Sequence, residues 1–163
     1  LKYPRRKEVP PIDFCHIPVS IIKRSEGRSA VAAAAYRSGS KLTNEWDGMT
    51  HDYTRKGGIV HVEIMLPAHA PPEFADRSIL WNSVEQIEKA RDSQLAREIE
   101  AALPRELSRE QQLALVRAYV KDNFVDKGMC ADLAIHDKGT GNPHLHIILT
   151  VRPLKEYGQW AAK

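Results

Sequence analysis

Three histidines in the last third of the sequence have the spacing of metal ligands. They are His136, His144 and His146, within the segment AIHDKGTGNPHLH. Successive side chains of a strand point to opposite faces, so His144 and His146 would share one face. Glycines, an asparagine and a proline separate them from His136, and these turn formers would fold two strands back on each other. We therefore expect the three imidazoles to converge on one point.

Such a cluster predicts a divalent metal cofactor. Three imidazole ligands leave coordination positions open, as in catalytic sites, and a phosphate oxygen is a natural occupant. We expect Mg²⁺ or Mn²⁺ in function, and the ligands would also accept Zn²⁺, Ni²⁺ or Co²⁺. Three separate hydrogen-bonded or exposed histidines explain the pattern less well, although H-x-H also occurs in other metalloenzymes. The isolated histidines are assigned no chemistry: His16, His51, His61 and His69.

A tyrosine follows a run of small residues earlier in the chain. Ser29 is placed to cap a helix over residues 30–39, and Tyr36 falls near its end. Alanines give little cover to a neighbouring ring, so a tyrosine at this position can project its hydroxyl into an open groove. Phenol has a pKa of about 10, and a metal that polarises the phosphate would reduce the demand on it. Composition alone favours a core tyrosine and leaves three alternative nucleophiles: Tyr53, Tyr119 and Tyr157.

Basic residues are concentrated around the start of this helix. Lys and Arg outnumber Asp and Glu within residues 1–41, although the whole chain has a net charge of only +3, from 24 basic and 21 acidic residues. A basic end on a balanced domain suits a phosphate-rich partner, while the charge alone is explained better by a solvated surface. The candidates for holding flanking phosphates are Lys23, Arg24, Arg28 and Arg37.

Hydrophobic periodicity places these candidates on alternating strands and helices. The predicted strands cover residues 14–22, 59–66, 130–137 and 144–151, and the predicted helices cover residues 30–39, 77–90 and 109–124. Asp76 and the Ser108–Gln111 capping box mark two helix starts. Residues 94–103 fit either a helix or a strand, and residues 40–58 are expected to form a long loop or hairpin. The alternation predicts an α+β layered domain.

The composition indicates a soluble globular chain, with 42% hydrophobic and 28% charged residues in 163. Residues 1–13 are expected to be a flexible, basic, proline-containing leader, and residues 14–163 a catalytic domain. No apolar run approaches the roughly 20 residues that cross a bilayer, and no secretory signal is visible. Cys15 and Cys130 do not form a disulfide framework, so we expect buried thiols in a reducing compartment.

Five segments, taken together and in order, resemble the MobA/MobL family of conjugative relaxases. They are IIKRSEGRSAVAAAAYRSG, HVEIMLP, LWNSVE, QLAREIEAALP and LAIHDKGTGNPHLH. The resemblance runs over residues 14–152. That family belongs to the HUH endonucleases, so the resemblance implies a central antiparallel sheet flanked by helices, with a metal site on the sheet.

The resemblance also implies roles for individual residues. Tyr36 matches the family's single nucleophilic tyrosine, and the three clustered histidines match its metal triad. Glu98 matches an active-site acid, which favours a strand at residues 94–103. That acid would orient a histidine or accept a proton, and Glu100 on the same strand face is a weaker candidate.

The implied activity is metal-dependent nicking of one DNA strand at a plasmid origin of transfer, through a 5′-phosphotyrosine intermediate that later rejoins the strand. The expected partners are single-stranded DNA of that origin, relaxosome accessory proteins and a type IV secretion coupling protein. We expect a cytoplasmic protein without membrane insertion, and a chain that is the N-terminal part of a longer one. The alternatives are a rolling-circle replication initiator, a metal-dependent phosphodiesterase without a covalent intermediate, and a DNA-binding module with a structural metal.

Overall fold

The computed structural model describes residues 17–163, in which helices cover both faces of one antiparallel sheet. The leader predicted at residues 1–13 and the thiol of Cys15 lie outside the described residues. The strands are β1 (Val19–Lys23), β2 (Lys41–Thr43), β3 (Thr50–Asp52), β4 (Ile59–Met65), β5 (Gln94–Ala102), β6 (Ala131–His136) and β7 (His144–Thr150). The helices are α1 (Ala30–Ser38), α2 (Arg77–Ile87) and α3 (Arg109–Asn123).

The main sheet has the strand order β1-β5-β7-β6-β4, and every neighbouring pair is antiparallel. The predicted α+β class with a central antiparallel sheet is therefore confirmed. Pro18 immediately precedes β1, which is an edge strand with an irregularity between Ile22 and Lys23. Edge strands tolerate proline because one of their sides makes no ladder hydrogen bonds.

Strand alternation gives the sheet two apolar faces and hence two cores. On one face, α1 and α2 pack through residues such as Val31 and Trp81. On the other face, Val116 and Val120 of α3 pack against Leu133 and other odd-numbered residues of β6 and β7. The even-numbered residues of these two strands, including all three clustered histidines, therefore belong to the face that carries α1.

The helices begin where the sequence predicts. Ser29 and Asp76 accept backbone hydrogen bonds at the starts of α1 and α2, and Ser108 forms the predicted capping box at α3. The prediction that α2 continues to residue 90 is wrong, because the helix ends at Ile87. Glu88 has a non-helical backbone, and its carboxylate binds cations elsewhere in the fold.

Strand pairing determines the structure of the two segments that the sequence left ambiguous, residues 94–103 and 40–58. Residues 94–102 form β5, which is hydrogen-bonded to β1 on one side and β7 on the other. Residues 40–58 contain the β2–β3 hairpin, which packs beside α1. None of the helices within residues 17–163 combines the length and apolar character that a bilayer-spanning segment requires.

Candidate active site

The β6–β7 pairing assembles the histidine cluster. His136 lies directly opposite His144, and His146 lies opposite Ala134 one step further along. The rings of His136 and His146 are in contact, with their centroids 4.3 Å apart. His144 is half-buried, and its Nδ1 lies 2.8 Å from the carbonyl oxygen of Asn142 in the turn. Strand register and the tight turn thus bring the three side chains to one end of the sheet.

The electrostatic surroundings favour neutral imidazoles. Burial and, after it, the positive charge of Arg37 are the main causes that together lower the pKa of His146 to about 3. Burial also lowers the pKa of His136. A neutral imidazole keeps a lone pair for a cation, whereas a protonated one would repel it.

The free nitrogens of the cluster fit a divalent ion. Nδ1 of His146 is buried, has no hydrogen-bond partner among residues 17–163, and lies 3.8 Å from the Glu100 carboxylate. Nε2 of His136 donates to the Arg37 carbonyl oxygen, 2.7 Å away, which leaves Nδ1 with its lone pair. By the same reasoning, Nε2 of His144 is free to act as a ligand. Within residues 17–163 no three such side chains already stand in the arrangement of a metal centre, so the fit rests on donor chemistry and adjacency.

Helix α1 carries Tyr36 to the edge of this cluster. The next residue, Arg37, accepts the hydrogen bond from His136 through its carbonyl oxygen. The Tyr36 side chain is 43% exposed, which leaves it open to a macromolecular substrate. Its ring packs edge-on against Tyr53, with 5.1 Å between centroids, and Lys56 lies over its face.

The alternative tyrosines differ in their surroundings. Tyr53 belongs to the wall around Tyr36, whereas Tyr119 packs against Phe124 in the core on the α3 face. Tyr157 is 93% exposed and follows the last strand. Among these residues, Tyr36 combines exposure with a helix end that contacts the histidine cluster.

Glu98 lies on the site face of β5, but its carboxylate is held by arginines. Nε and Nη2 of Arg37 donate to Oε1 over 2.9 and 2.6 Å, and Arg28 donates to Oε2 over 2.9 Å. Ser20 donates to the same Oε2 over 3.2 Å. Burial alone would raise the pKa of Glu98, but the two guanidinium groups outweigh it and hold the pKa below its ordinary value. The acid beside the histidine cluster is instead Glu100, which pairs with His146 across β5 and β7.

The four candidate basic residues fall into two places. Arg28 and Arg37 meet at Glu98. Lys23 and Arg24 lie near Gln94, at the far end of β5 from the residue that pairs with His144. The eight steps between the nine residues of β5, at about 3.3 Å each, separate the two ends by roughly 26 Å.

Arg24 is also engaged in internal contacts. Its guanidinium donates to the buried Glu85 carboxylate over 2.9 Å and to the backbone carbonyls of Glu85, Glu88 and Ala90. It also lies over the Trp46 ring, 3.9 Å from the centroid. Most of its donors therefore have partners within the protein.

Two cations near Tyr36 were missed by the sequence reasoning. Lys56 is half-buried beside the ring, and its pKa is lowered by burial and by the nearby charges of Arg37 and Lys138. Lys138 follows β6 in the histidine turn. Neither residue lies in a periodic segment, so no sequence signal tied them to Tyr36. Together with Arg37 they create a positive field suited to phosphate.

Comparisons with known proteins identify relatives of this chain. The chain is 48% identical over 160 residues to the conjugal transfer protein TraA of Agrobacterium fabrum, which covers 92% of this chain and 14% of TraA. It is 47% identical over 121 residues to the mobilization protein MobL of Acidithiobacillus ferridurans, covering 74% of this chain and 31% of MobL. It thus spans only a small part of these relatives.

A solved structure described as the molecular basis of vancomycin resistance transfer in Staphylococcus aureus superimposes with a TM-score of 0.85 at 32% identity. The match covers 91% of this chain and 75% of that one. The model of the MobA/MobL family matches residues 28–163, which include Tyr36, Glu98 and the histidine cluster. The chain therefore belongs to the MobA/MobL family.

Proposed function

We propose that this domain is a metal-dependent DNA relaxase that nicks one strand at a plasmid origin of transfer. The observation that carries the proposal is the hydrogen bond from His136 to the Arg37 carbonyl oxygen, 2.7 Å long. It connects helix α1, which carries the candidate nucleophile Tyr36, to the histidine cluster. It joins a candidate nucleophile and a candidate metal site in one place. Membership of a family with conjugal transfer and mobilization proteins supports the same reading.

In the proposed reaction, Tyr36 attacks the scissile phosphorus of single-stranded DNA. The Tyr36 Oη–P bond forms and the P–O3′ bond breaks, which gives a 5′-phosphotyrosine and a free 3′-hydroxyl. The phenol proton passes to water, and the leaving 3′-oxygen takes a proton from water. The reverse reaction rejoins the strand, because the adduct conserves the phosphodiester bond.

Other groups of the chain hold the substrate and the site. A divalent ion held by the three histidines would neutralise charge on the non-bridging phosphate oxygens. Arg37 and Arg28 present guanidinium groups on the site face of the sheet, and Glu98 fixes their orientation. Because its lone pairs face two cations, we assign Glu98 to positioning the arginines rather than to proton transfer. Glu100 places its negative charge 3.8 Å from Nδ1 of His146, where it would favour a bound cation.

The test is a covalent adduct assay with labelled single-stranded oligonucleotides from the cognate transfer origin. With Mn²⁺ or Mg²⁺ we expect an adduct that mass spectrometry maps to Tyr36. The Tyr36→Phe variant should bind DNA with unchanged affinity and lose cleavage. Tyr157→Phe is the matched control, because that tyrosine is exposed away from the helix, and it should cleave like the wild type.

Each competing function gives a different result in this assay. Cleavage without an adduct would indicate a hydrolase, and binding without cleavage would indicate a DNA-binding module. An adduct formed preferentially with a replication origin would indicate a replication initiator. Cleavage that persists in Tyr36→Phe would show that another residue is the nucleophile.

A further inference from the structure

The turn that follows β3 places Lys56 beside Tyr36. The turn is closed by a hydrogen bond from the Lys56 amide to the Tyr53 carbonyl oxygen, 2.9 Å long. Just before it, Asp52 accepts hydrogen bonds from both the amide and the hydroxyl of Thr54. Tyr53 itself donates its amide to Ser40, which follows α1. These hydrogen bonds therefore fix the backbone of Lys56 and the direction in which its side chain leaves the turn.

The ammonium group of Lys56 makes two contacts with the same residue. Nζ lies 3.4 Å from the centroid of the Tyr36 ring and donates to the Tyr36 carbonyl oxygen over 2.9 Å. That carbonyl is in the last turn of α1, where helix geometry supplies no partner. One cation thus links the backbone of Tyr36 to the face of its own ring, which restricts rotation of the side chain.

The ring is enclosed from a second direction. Tyr53 meets it edge-on at 87°, and this residue belongs to the same turn as Lys56. An exposed tyrosine without such walls would sample several rotamers, and an in-line attack requires one. The turn is built to hold the aromatic ring in place while leaving it open to solvent.

We propose that Lys56 is a positioning residue for Tyr36, which holds the phenol ring in its attacking orientation and stabilises negative charge on it during the attack. This inference rests on the proposed function, because it assumes that Tyr36 is the nucleophile. A cation over an aromatic face attracts the π electrons, and the attraction grows as the ring gains negative charge. The effect belongs to the chemical step rather than to binding.

A phosphate contact is the other role open to a lysine at this place. The contacts favour positioning, because two directions of the ammonium group are already occupied by the carbonyl oxygen and the ring. Arg37 and Lys138 are close enough to influence Lys56 electrostatically, so the site stays positive without it. Arg37 also lies over the Tyr36 ring, with its guanidinium carbon 5.2 Å from the centroid. Lys56 is closer, at 3.4 Å, and it also binds the Tyr36 carbonyl oxygen.

The experiment compares Lys56→Met and Lys56→Arg in single-turnover cleavage of the origin oligonucleotide, with DNA affinity measured separately. Methionine keeps the length of the side chain without the charge, and we expect it to slow the saturated rate about tenfold while affinity stays within about twofold. Arginine retains a cation for the ring and should recover most of the rate. Lys41→Met is the matched control, an exposed lysine of the same hairpin paired with Asp52, and it should behave like the wild type.

A second readout follows the contact without DNA. With 3-fluorotyrosine at position 36, the fluorine resonance should move in Lys56→Met and stay in place in Lys41→Met. Melting curves verify that every variant is folded. Loss of affinity with an unchanged saturated rate would assign Lys56 to phosphate binding, and an unchanged fluorine shift would refute the ring contact. If the wild type cleaves through Tyr36 but Lys56→Met is equally fast, this inference fails alone, whereas absence of a Tyr36 adduct in the wild type removes the proposed function itself.

Discussion

Glu98 illustrates how neighbouring charges change the use of a single residue. The resemblance places an acid of the active site at this position, and two roles were expected for it: orienting a histidine or accepting a proton. In the fold its two oxygens receive Arg37 and Arg28 instead, while Glu100 lies nearer a histidine. A carboxylate that accepts several charge-assisted hydrogen bonds is held ionised and is a poor proton acceptor.

The ion pairs of Glu98 predict a pH-dependent contribution to stability. The folded-state pKa lies below the ordinary value of 4.5, so the folded state prefers the ionised form. The stabilisation is therefore fully present above 4.5 and is lost as the pH falls through the folded-state pKa. Denaturant unfolding of wild type and Glu98→Gln should show the largest difference near neutral pH. A difference that grows on acidification would contradict the ion-pair assignment.

The thiol of Cys130 is expected to be inert. It is fully buried, and burial raises its pKa to about 12, so the reactive thiolate is absent at neutral pH. Mass spectrometry after a thiol-labelling pulse should find no modification at Cys130 in the native protein. Complete modification is expected in denaturant, and fast labelling of the native protein would show that this part of the core opens readily.

At the scale of elements, α1 determines where Tyr36, the proposed nucleophile, lies. Its alanine face lets the helix approach the sheet closely, with Ala30, Ala34 and Ala35 almost completely buried. Its first turn is held by Ser29 and by the buried Glu85 carboxylate, which accepts the Ala30 amide over 2.7 Å. Its last carbonyls bind Lys56 and His136. Both helix ends are thus anchored by side chains from other elements.

Enlarging the alanine face should displace the helix. We expect Ala34→Leu to destabilise the protein by about 1–3 kcal/mol, because the added methylenes meet a packed core. The same movement should lower the rate of cleavage, because Tyr36 is part of this helix and would move with it. Ala32→Leu is the matched control at a half-buried position and should cost less in both respects. Thermal or denaturant unfolding and the adduct assay measure the two effects, and equal losses in both variants would contradict close packing of this face.

At the scale of the whole molecule, one face of the sheet carries an apolar core, whereas the other carries both an apolar core and the candidate site. The α3 face is an apolar core formed by residues such as Val116, Leu133 and Ile147. The α1 face also has an apolar core, but the end of the sheet where β6 and β7 meet carries the histidines. The candidate site therefore lies on one face of a sheet whose opposite face is covered by α3.

Metal binding should stabilise the whole domain, because an ion that binds only the folded state shifts the unfolding equilibrium. At a metal concentration of about 100 Kd the gain is about 2.7 kcal/mol. Calorimetry with and without Mn²⁺ should show a higher melting temperature with the ion. The shift should vanish in His144→Ala and persist in His51→Ala, which removes a histidine of β3 outside the cluster. An equal shift in both variants would place the ion elsewhere.

The sequence by itself determined the elements and the residue types that could do chemistry. Capping signals fixed three helix starts, and period-two alternation put His144 and His146 on one face, because both are local properties of the chain. The tertiary structure decided what pairing and long-range charge control. Residues 94–102 form a strand because they are hydrogen-bonded to β1 and β7. Local sequence propensity carries no information about this pairing. Arg37 binds Glu98, which is 61 positions away in the sequence, and Lys56 contacts Tyr36, which is 20 positions away. Only the folded chain brings these residues together.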